Sequence, residues 1–166
     1  KEGYHAIGSR LNIMGMAYKD SNKLEDAEKA FNDALKLNKG YGMEADTADS
    51  FRGLGDVSAK KEDYKKAMEL YENALAIDKK SGQGAHIAID LYALGIVSLK
   101  DNAAEKALDF FLRAYAVNLS RGDTKMALKN LDNIIEIYTR LKDKNSEEIY
   151  SSEKEKLLKK ERDYKK

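Results

Sequence analysis

The chain has 166 residues, of which 36% are charged and 42% are hydrophobic, and it contains no proline, cysteine or tryptophan. The absence of cysteine excludes disulfides, thiol catalysis and cysteine-based zinc sites. Thirty basic residues oppose 29 acidic residues, and this balance argues against nucleic-acid binding, which usually requires a basic excess. No apolar run approaches the roughly 18 residues of a membrane-spanning helix. A cytoplasmic protein that does not act on membranes is therefore expected.

Eight helices are predicted along the chain. The lack of proline favours continuous helix, because proline breaks helices. Apolar and small residues also recur with helical spacing, as Leu91, Leu94 and Ser98 do on one face of the fifth segment. In chain order, the predicted spans are about 4–20, 23–39, 44–60, 63–79, 84–100, 103–120, 124–142 and 146–163.

The predicted helix ends carry recognisable end signals. An asparagine followed three residues later by a glutamate resembles a capping box, which opens a helix. This pattern opens three of the second helices: Asn22 with Glu25, Asn102 with Glu105, and Asn145 with Glu148. A glycine stands where three of the second helices should stop, as C-capping glycines do, at Gly42, Gly82 and Gly122.

The sequence repeats itself with a period of 40 residues. Three sets of small or aromatic residues recur at this offset: Gly15, Gly55 and Gly95; Ala27, Ala67 and Ala107; Phe31, Tyr71 and Phe111. A glycine inside a helix costs about 1 kcal/mol relative to alanine, so a repeated one needs a structural reason. We expect another helix backbone, at the alanine positions, to pass close to each glycine.

The repeat divides the chain into four helical hairpins. A single hairpin cannot bury its apolar face alone, so neighbouring hairpins are expected to stack. The hypothesis is a single array over residues 1–166, with units at about 4–41, 42–81, 82–121 and 122–166. The fourth unit diverges, because Ile135 replaces the glycine and Tyr150 stands at the alanine position. It is interpreted as a solvating cap.

The repeat resembles the tetratricopeptide repeat. The resemblance rests on Met14-Gly15-x-x-Tyr18 followed by Ala27, Phe31 and Ala34, and on the equivalent residues of the next two units. The usual period is about 34 residues, so this is a long variety, similar to repeats in kinesin light chains and in peptide-sensing regulators of bacilli. The resemblance implies an all-α fold, a right-handed superhelical solenoid of antiparallel helix hairpins that binds a protein or peptide in its concave groove.

The concave groove is expected to be lined by the second face of each first helix. On the third unit this face is wholly apolar, which predicts an anchor site for a partner with Tyr92 as its best hot-spot candidate. The charged positions of the neighbouring units would set the charge preference. The predicted groove residues are Asn12, Met16, Arg52, Asp56, Ile89, Tyr92, Ile96, Leu99, Asp132 and Glu136.

The motifs do not indicate catalysis. The two histidines, His5 and His86, belong to no catalytic or metal-binding pattern, and no phosphate-binding loop is present. The sequence therefore predicts a non-catalytic adaptor or scaffold without a cofactor or metal. Two alternatives stay open: self-association through residues 84–100, and a regulatory or sensor domain of a larger signalling protein, which the missing initiator methionine would suit.

Overall fold

A computed structural model describes residues 2–164 of the chain, and the side chains of residues 6–163. Within that range the fold is all-α, as predicted. The helices are α1 (Glu2–Asp20), α2 (Leu24–Gly40), α3 (Glu44–Lys60), α4 (Tyr64–Lys80), α5 (Gly84–Lys100), α6 (Ala104–Ser120), α7 (Thr124–Leu141) and α8 (Lys144–Tyr164). Their bounds agree with the predicted spans to within three residues at every end described by both.

The helices form two compact units of four helices each. The N-terminal unit is Lys1–Gln83 and contains α1 to α4, and the C-terminal unit is Gly84–Lys166 and contains α5 to α8. Inside each unit, contacts run mainly between helices that are adjacent in the sequence. Each unit therefore consists of two helix hairpins packed side by side. That all four hairpins form a single array stays a prediction.

The second helices end as the glycine pattern predicted. Gly42, Gly82 and Gly122 adopt φ values of +70°, +69° and +71°, a left-handed conformation that suits glycine. At the end of α2 the Gly42 amide donates to the Lys39 carbonyl, and the Met43 amide donates to the Asn38 carbonyl. These two bonds form a Schellman motif, which satisfies carbonyls at the end of the helix.

The predicted capping boxes are wrong. Asn22 and Asn102 have φ values of 58° and 59° and terminate the preceding first helix instead of opening the next one. The Asn22 amide donates to the Lys19 carbonyl at 3.1 Å, as in a Schellman motif. Asparagine tolerates this left-handed backbone better than most residues. At these positions it therefore ends the first helix and does not cap the start of the second.

Aspartate provides the side-chain N-caps that the structure contains. The Asp63 and Asp123 carboxylates accept from the amides of Lys66 and Met126, at 3.1 and 3.0 Å. At α8 the cap is Asp143, which accepts from the Ser146 amide, and not the predicted Asn145. Lys23 and Ala103 precede α2 and α6 without a side-chain cap bond.

The repeated glycines face an aromatic ring and not a helix backbone, which corrects the predicted contact. A Cβ added at Gly15 would lie 2.8 Å from the Phe31 ring, and one at Gly95 would lie 2.7 Å from the Phe111 ring. At Gly55 the equivalent ring belongs to Tyr71, at 2.7 Å. Each ring therefore fills the space that the missing side chain leaves, and the repeated alanines are fully buried beside it.

The fourth hairpin replaces the glycine contact with a ring stack. Tyr150 of α8 stacks on Tyr138 of α7, with ring centroids 5.5 Å apart and an interplanar angle of 12°. Ile134 and Ile137 of α7 are buried in the core of the C-terminal unit, and α8 contributes Leu157 to that core. Most of the remaining surface of α8 is exposed or half-buried, which fits the interpretation of this hairpin as a cap.

Candidate binding surfaces

The N-terminal unit contains a cavity of about 400 Å³ between α1 and α3. Its volume lies within the range of small-molecule and peptide side-chain pockets. Four of the predicted groove residues line it together, namely Asn12, Met16, Arg52 and Asp56. The other lining residues are Ser9, Ile13, Lys19, Phe31, Asp46, Asp49 and Gly53, and we call this cavity the N-terminal groove.

Gly53 is the residue of α3 that leaves room for the Phe31 ring beside the groove. A Cβ at this position would lie 2.3 Å from Cε1 of Phe31, so no other residue fits without displacing the ring. The sequence analysis did not single out Gly53, because it stands outside the 40-residue glycine series. Its signal was a second glycine in one helix, two residues before Gly55.

Apolar side chains form one wall of the groove. Ile13 and Met16 of α1 are 64% and 51% exposed, although both are large and apolar. Exposed apolar groups beside a cavity are more often binding surface than scattered single ones are. They give the groove an exposed apolar lining, whereas the Phe31 ring that borders it is fully buried.

The charged side chains of Lys19, Arg52, Asp49 and Asp56 that line the groove are held in ion pairs. Lys19 Nζ lies 2.6 Å from Asp56 Oδ2, which links α1 to α3. Arg52 bridges two carboxylates, Asp49 Oδ1 at 2.5 Å and the fully buried Asp78 Oδ2 at 2.6 Å. The pairs fix the positions of these side chains around the groove.

Asn12 serves mainly as a contact between helices. Its side chain is buried, and its amide nitrogen donates to the Asp46 carbonyl at 2.9 Å. Its amide oxygen accepts from the Ser50 hydroxyl at 2.8 Å. These bonds hold α1 against α3 at the edge of the groove.

The apolar residues predicted as an anchor lie on α5 of the C-terminal unit. Ile89 is exposed, whereas Tyr92, Ile96 and Leu99 are half-buried and pack against the core of this unit. The Tyr92 ring meets the Phe111 ring edge-on, with centroids 5.5 Å apart. Its contacts with the unit's own core thus cover part of the surface that was predicted to bind a partner.

One charged residue of α7 contacts this apolar surface, and the two predicted acidic groove residues of α7 form ion pairs. Lys129 Nζ lies 4.6 Å from the centroid of the Tyr92 ring, a cation–π contact. Asp132 pairs with Lys154 at 2.6 Å, and Glu136 pairs with Arg140 within α7. The Asp132 and Glu136 carboxylates are both more than half exposed, so these pairs are surface contacts of small energy.

The described residues hold no group of three or more potential metal ligands. His86 is half-buried near the start of α5, and the His5 side chain lies outside the described side chains. None of the described helices is both long and apolar enough to cross a membrane.

Comparisons with solved structures find the same fold in several proteins. Aspartyl phosphate phosphatase F from Bacillus subtilis is 16% identical over 94% of this chain and 41% of its own, with a TM-score of 0.86. BtubC from P. vanneervenii is also 16% identical, over 96% of this chain and 66% of its own, with a TM-score of 0.85. A Rap protein complexed with Competence and Sporulation Factor is 13% identical over 90% of this chain and 43% of its own, with a TM-score of 0.78. This chain thus spans less than two thirds of the length of each.

Two profiles described as tetratricopeptide repeat match the sequence, one over residues 9–41 and the other over residues 45–120. Together they span about two thirds of the chain. A search of the curated proteins gives no significant match. The profile matches agree with the hairpins and with the 40-residue recurrence of glycine, alanine and aromatic residues. The chain belongs to the tetratricopeptide repeat family.

Proposed function

We propose that this chain is a protein- or peptide-binding scaffold that performs no chemistry of its own. The observation that carries the proposal is the N-terminal groove, in which Ile13 and Met16 are exposed beside a cavity of about 400 Å³. A concave site lined by apolar groups with a few fixed polar groups is typical of a binding site. The Rap protein complexed with Competence and Sporulation Factor supports ligand binding by the same fold.

The apolar surface of α5 is a second proposed contact. Ile89 is exposed, and Ile96 and Leu99 of the same helix are half-buried. Tyr92 combines a large ring with a polar tip, a combination that is common at interface hot spots. A partner residue packed here would complete the burial that the core of the C-terminal unit begins.

Selection of peptides from a displayed library on the immobilised chain tests this function. We expect the selected peptides to bind the chain in solution, and the double variant Ile13→Ala, Met16→Ala to bind them about tenfold more weakly, because apolar contact area is lost. Tyr92→Ala should weaken the binding of peptides that contact α5, and its circular dichroism should show that the helices are retained. Titration by fluorescence polarisation gives the affinities.

Ile149→Ala is the matched control, since Ile149 is 57% exposed on α8 and lies outside both surfaces. Its affinity for the selected peptides should equal that of the wild type. Equal affinity of all these variants for every selected peptide would contradict the proposed surfaces.

Self-association through α5 is the alternative that the exposed Ile89 side chain favours. Light scattering across a wide concentration range distinguishes it from partner binding. A mass that stays monomeric at high concentration eliminates it, and a dimer that Ile89→Lys dissociates supports it.

A regulatory module of a longer signalling protein is the other alternative. It is favoured by the likeness to aspartyl phosphate phosphatase F, of which this chain covers 41%. Such a module would also act by binding a protein or peptide. The peptide selection therefore tests binding for the scaffold and for the regulatory module alike.

A further inference from the structure

The charges that line the N-terminal groove differ in how far they reach solvent. The Lys19 and Arg52 side chains are only 17% and 15% exposed, whereas those of Asp49 and Asp56 are 46% and 35% exposed. The carboxylate side chains of the groove are therefore more accessible to a ligand, relative to their size, than its cationic side chains are.

The ion pairs explain this asymmetry. Arg52 directs one nitrogen to Asp49 and the other to Asp78, which is fully buried beneath it. Part of its positive charge is thus neutralised by a carboxylate that no ligand can contact. Lys19 is similarly turned onto Asp56, at 2.6 Å.

Acidic groups also outnumber basic ones among the described residues that line the groove. These are three aspartates, Asp46, Asp49 and Asp56, and the two cations Lys19 and Arg52. The buried Asp78 adds a fourth carboxylate to the same cluster. Charge complementarity across an interface favours a partner of the opposite sign and raises its association rate.

The rest of the groove favours an apolar group of some size. Ile13 and Met16 give a volume of about 400 Å³ an exposed apolar lining, and the Phe31 ring that borders it is fully buried. The carboxylates of α3 and the apolar side chains of α1 line the same cavity. A ligand that contacts both must carry a cationic group and a large apolar group close together.

We propose that the N-terminal groove binds a peptide segment in which a lysine or arginine stands next to a large apolar residue. The apolar side chain enters the groove against Ile13 and Met16, and the cation contacts the partly exposed carboxylates of Asp49 and Asp56. This inference rests on the proposed function, because it names the partner chemistry of the same site.

Three synthetic peptides of one length test the inference: GSKLFKSG, GSELFESG and GSKAAKSG, each acetylated, amidated and labelled for fluorescence polarisation. We expect GSKLFKSG to bind the full chain at least about fivefold more tightly than either of the others. GSELFESG lacks the cations that would pair with the partly exposed carboxylates, and each such pair contributes modestly. GSKAAKSG lacks the large apolar side chains that would fill the groove. The advantage over GSELFESG should shrink at high salt, since salt screens exposed charges.

Variants of the chain locate the effect. Asp49→Asn should weaken the binding of GSKLFKSG about threefold. The control Asp109→Asn removes an exposed carboxylate from α6 in the C-terminal unit and should leave the affinity for this peptide unchanged. Ile13→Ala should weaken GSKLFKSG as well, through the apolar wall. Circular dichroism of each variant shows whether the fold is retained.

The outcomes separate this inference from the proposed function. If GSELFESG binds as tightly as GSKLFKSG and Ile13→Ala weakens both, the groove binds peptides but the cationic preference is wrong. If no peptide binds, or if Ile13→Ala has no effect, the inference falls for this groove. The library selection then judges the proposed function independently.

Discussion

The smallest residues of this chain decide where its largest buried rings lie. Phe111 is fully buried, and its ring lies where the side chain of residue 95 would otherwise be. Phe31 is flanked in the same way by Gly15 and Gly53. Glycine costs helix stability, and here the packing of a large ring at interior density offsets that cost.

Gly95→Ala should therefore destabilise the protein despite the higher helix propensity of alanine. The new Cβ would lie 2.7 Å from Cε1 of Phe111, and the fully buried ring has little room to move. We expect a loss of about 1–3 kcal/mol in the free energy of unfolding, as overpacked cores show. Urea denaturation followed by circular dichroism measures it.

Gly40→Ala is the matched control, because nothing lies within 4 Å of a Cβ built at Gly40, at the end of α2. It should leave stability unchanged or raise it by up to about 1 kcal/mol. A Gly95→Ala variant as stable as the wild type would refute the role of glycine as space for the ring.

At the scale of the helix, the two kinds of end are stabilised by different means. The first helices end at non-glycine residues with positive φ, at Asn22, Glu62, Asn102 and Lys142. Three of the second helices, α2, α4 and α6, end at glycines. Side-chain caps at the starts are confined to some helices, including Asp63 before α4 and Asp123 before α7. The turns are thus built mainly from backbone hydrogen bonds, to which the caps add.

Asp123→Ala should cost about 1 kcal/mol of stability, because its carboxylate accepts from the Met126 amide at the start of α7. Lys23→Ala occupies the same position before α2 but makes no side-chain cap bond, so its effect should be close to zero. Thermal unfolding of the two variants under identical conditions compares them. Equal losses would show that the cap bond contributes nothing measurable.

The predicted site illustrates what a helical pattern can provide. Asn12, Met16, Arg52 and Asp56 were assigned to one groove from their positions on the first helices, and all four line one cavity. The pattern did not distinguish Asn12, which is buried between α1 and α3, from Met16, which is exposed. Helical spacing assigns a residue to a face, but its exposure depends on the neighbouring helix.

At the scale of the whole molecule, stability is distributed along a series of neighbouring helices. In the C-terminal unit the packed pairs are α5 with α6, α6 with α7, and α7 with α8. Repeat proteins of this kind gain their stability from each element and its nearest neighbours. A local change should therefore weaken the helices beside it more than those farther along the unit.

Hydrogen exchange of the Gly95→Ala variant tests this expectation. Amides of α5 and α6 should lose most protection, because the altered contact joins these two helices. Amides of α7 should lose less protection than those of α5 and α6. Amides of α8, the helix farthest along the unit, should lose the least. A uniform loss across α5 to α8 would show that the unit unfolds only as a whole.

The sequence alone was sufficient for the all-α fold, the helix positions and the repeat family, because helical periodicity and a 40-residue recurrence are properties of the chain order. Only the tertiary structure decided what each recurring residue touches. It placed an aromatic ring, not a backbone, against the glycines, including Gly53 beside the N-terminal groove. It also turned Lys19 and Arg52 away from solvent. The physical reason is that local patterns determine which face a residue occupies, whereas the space and charge on that face are determined by residues from another helix.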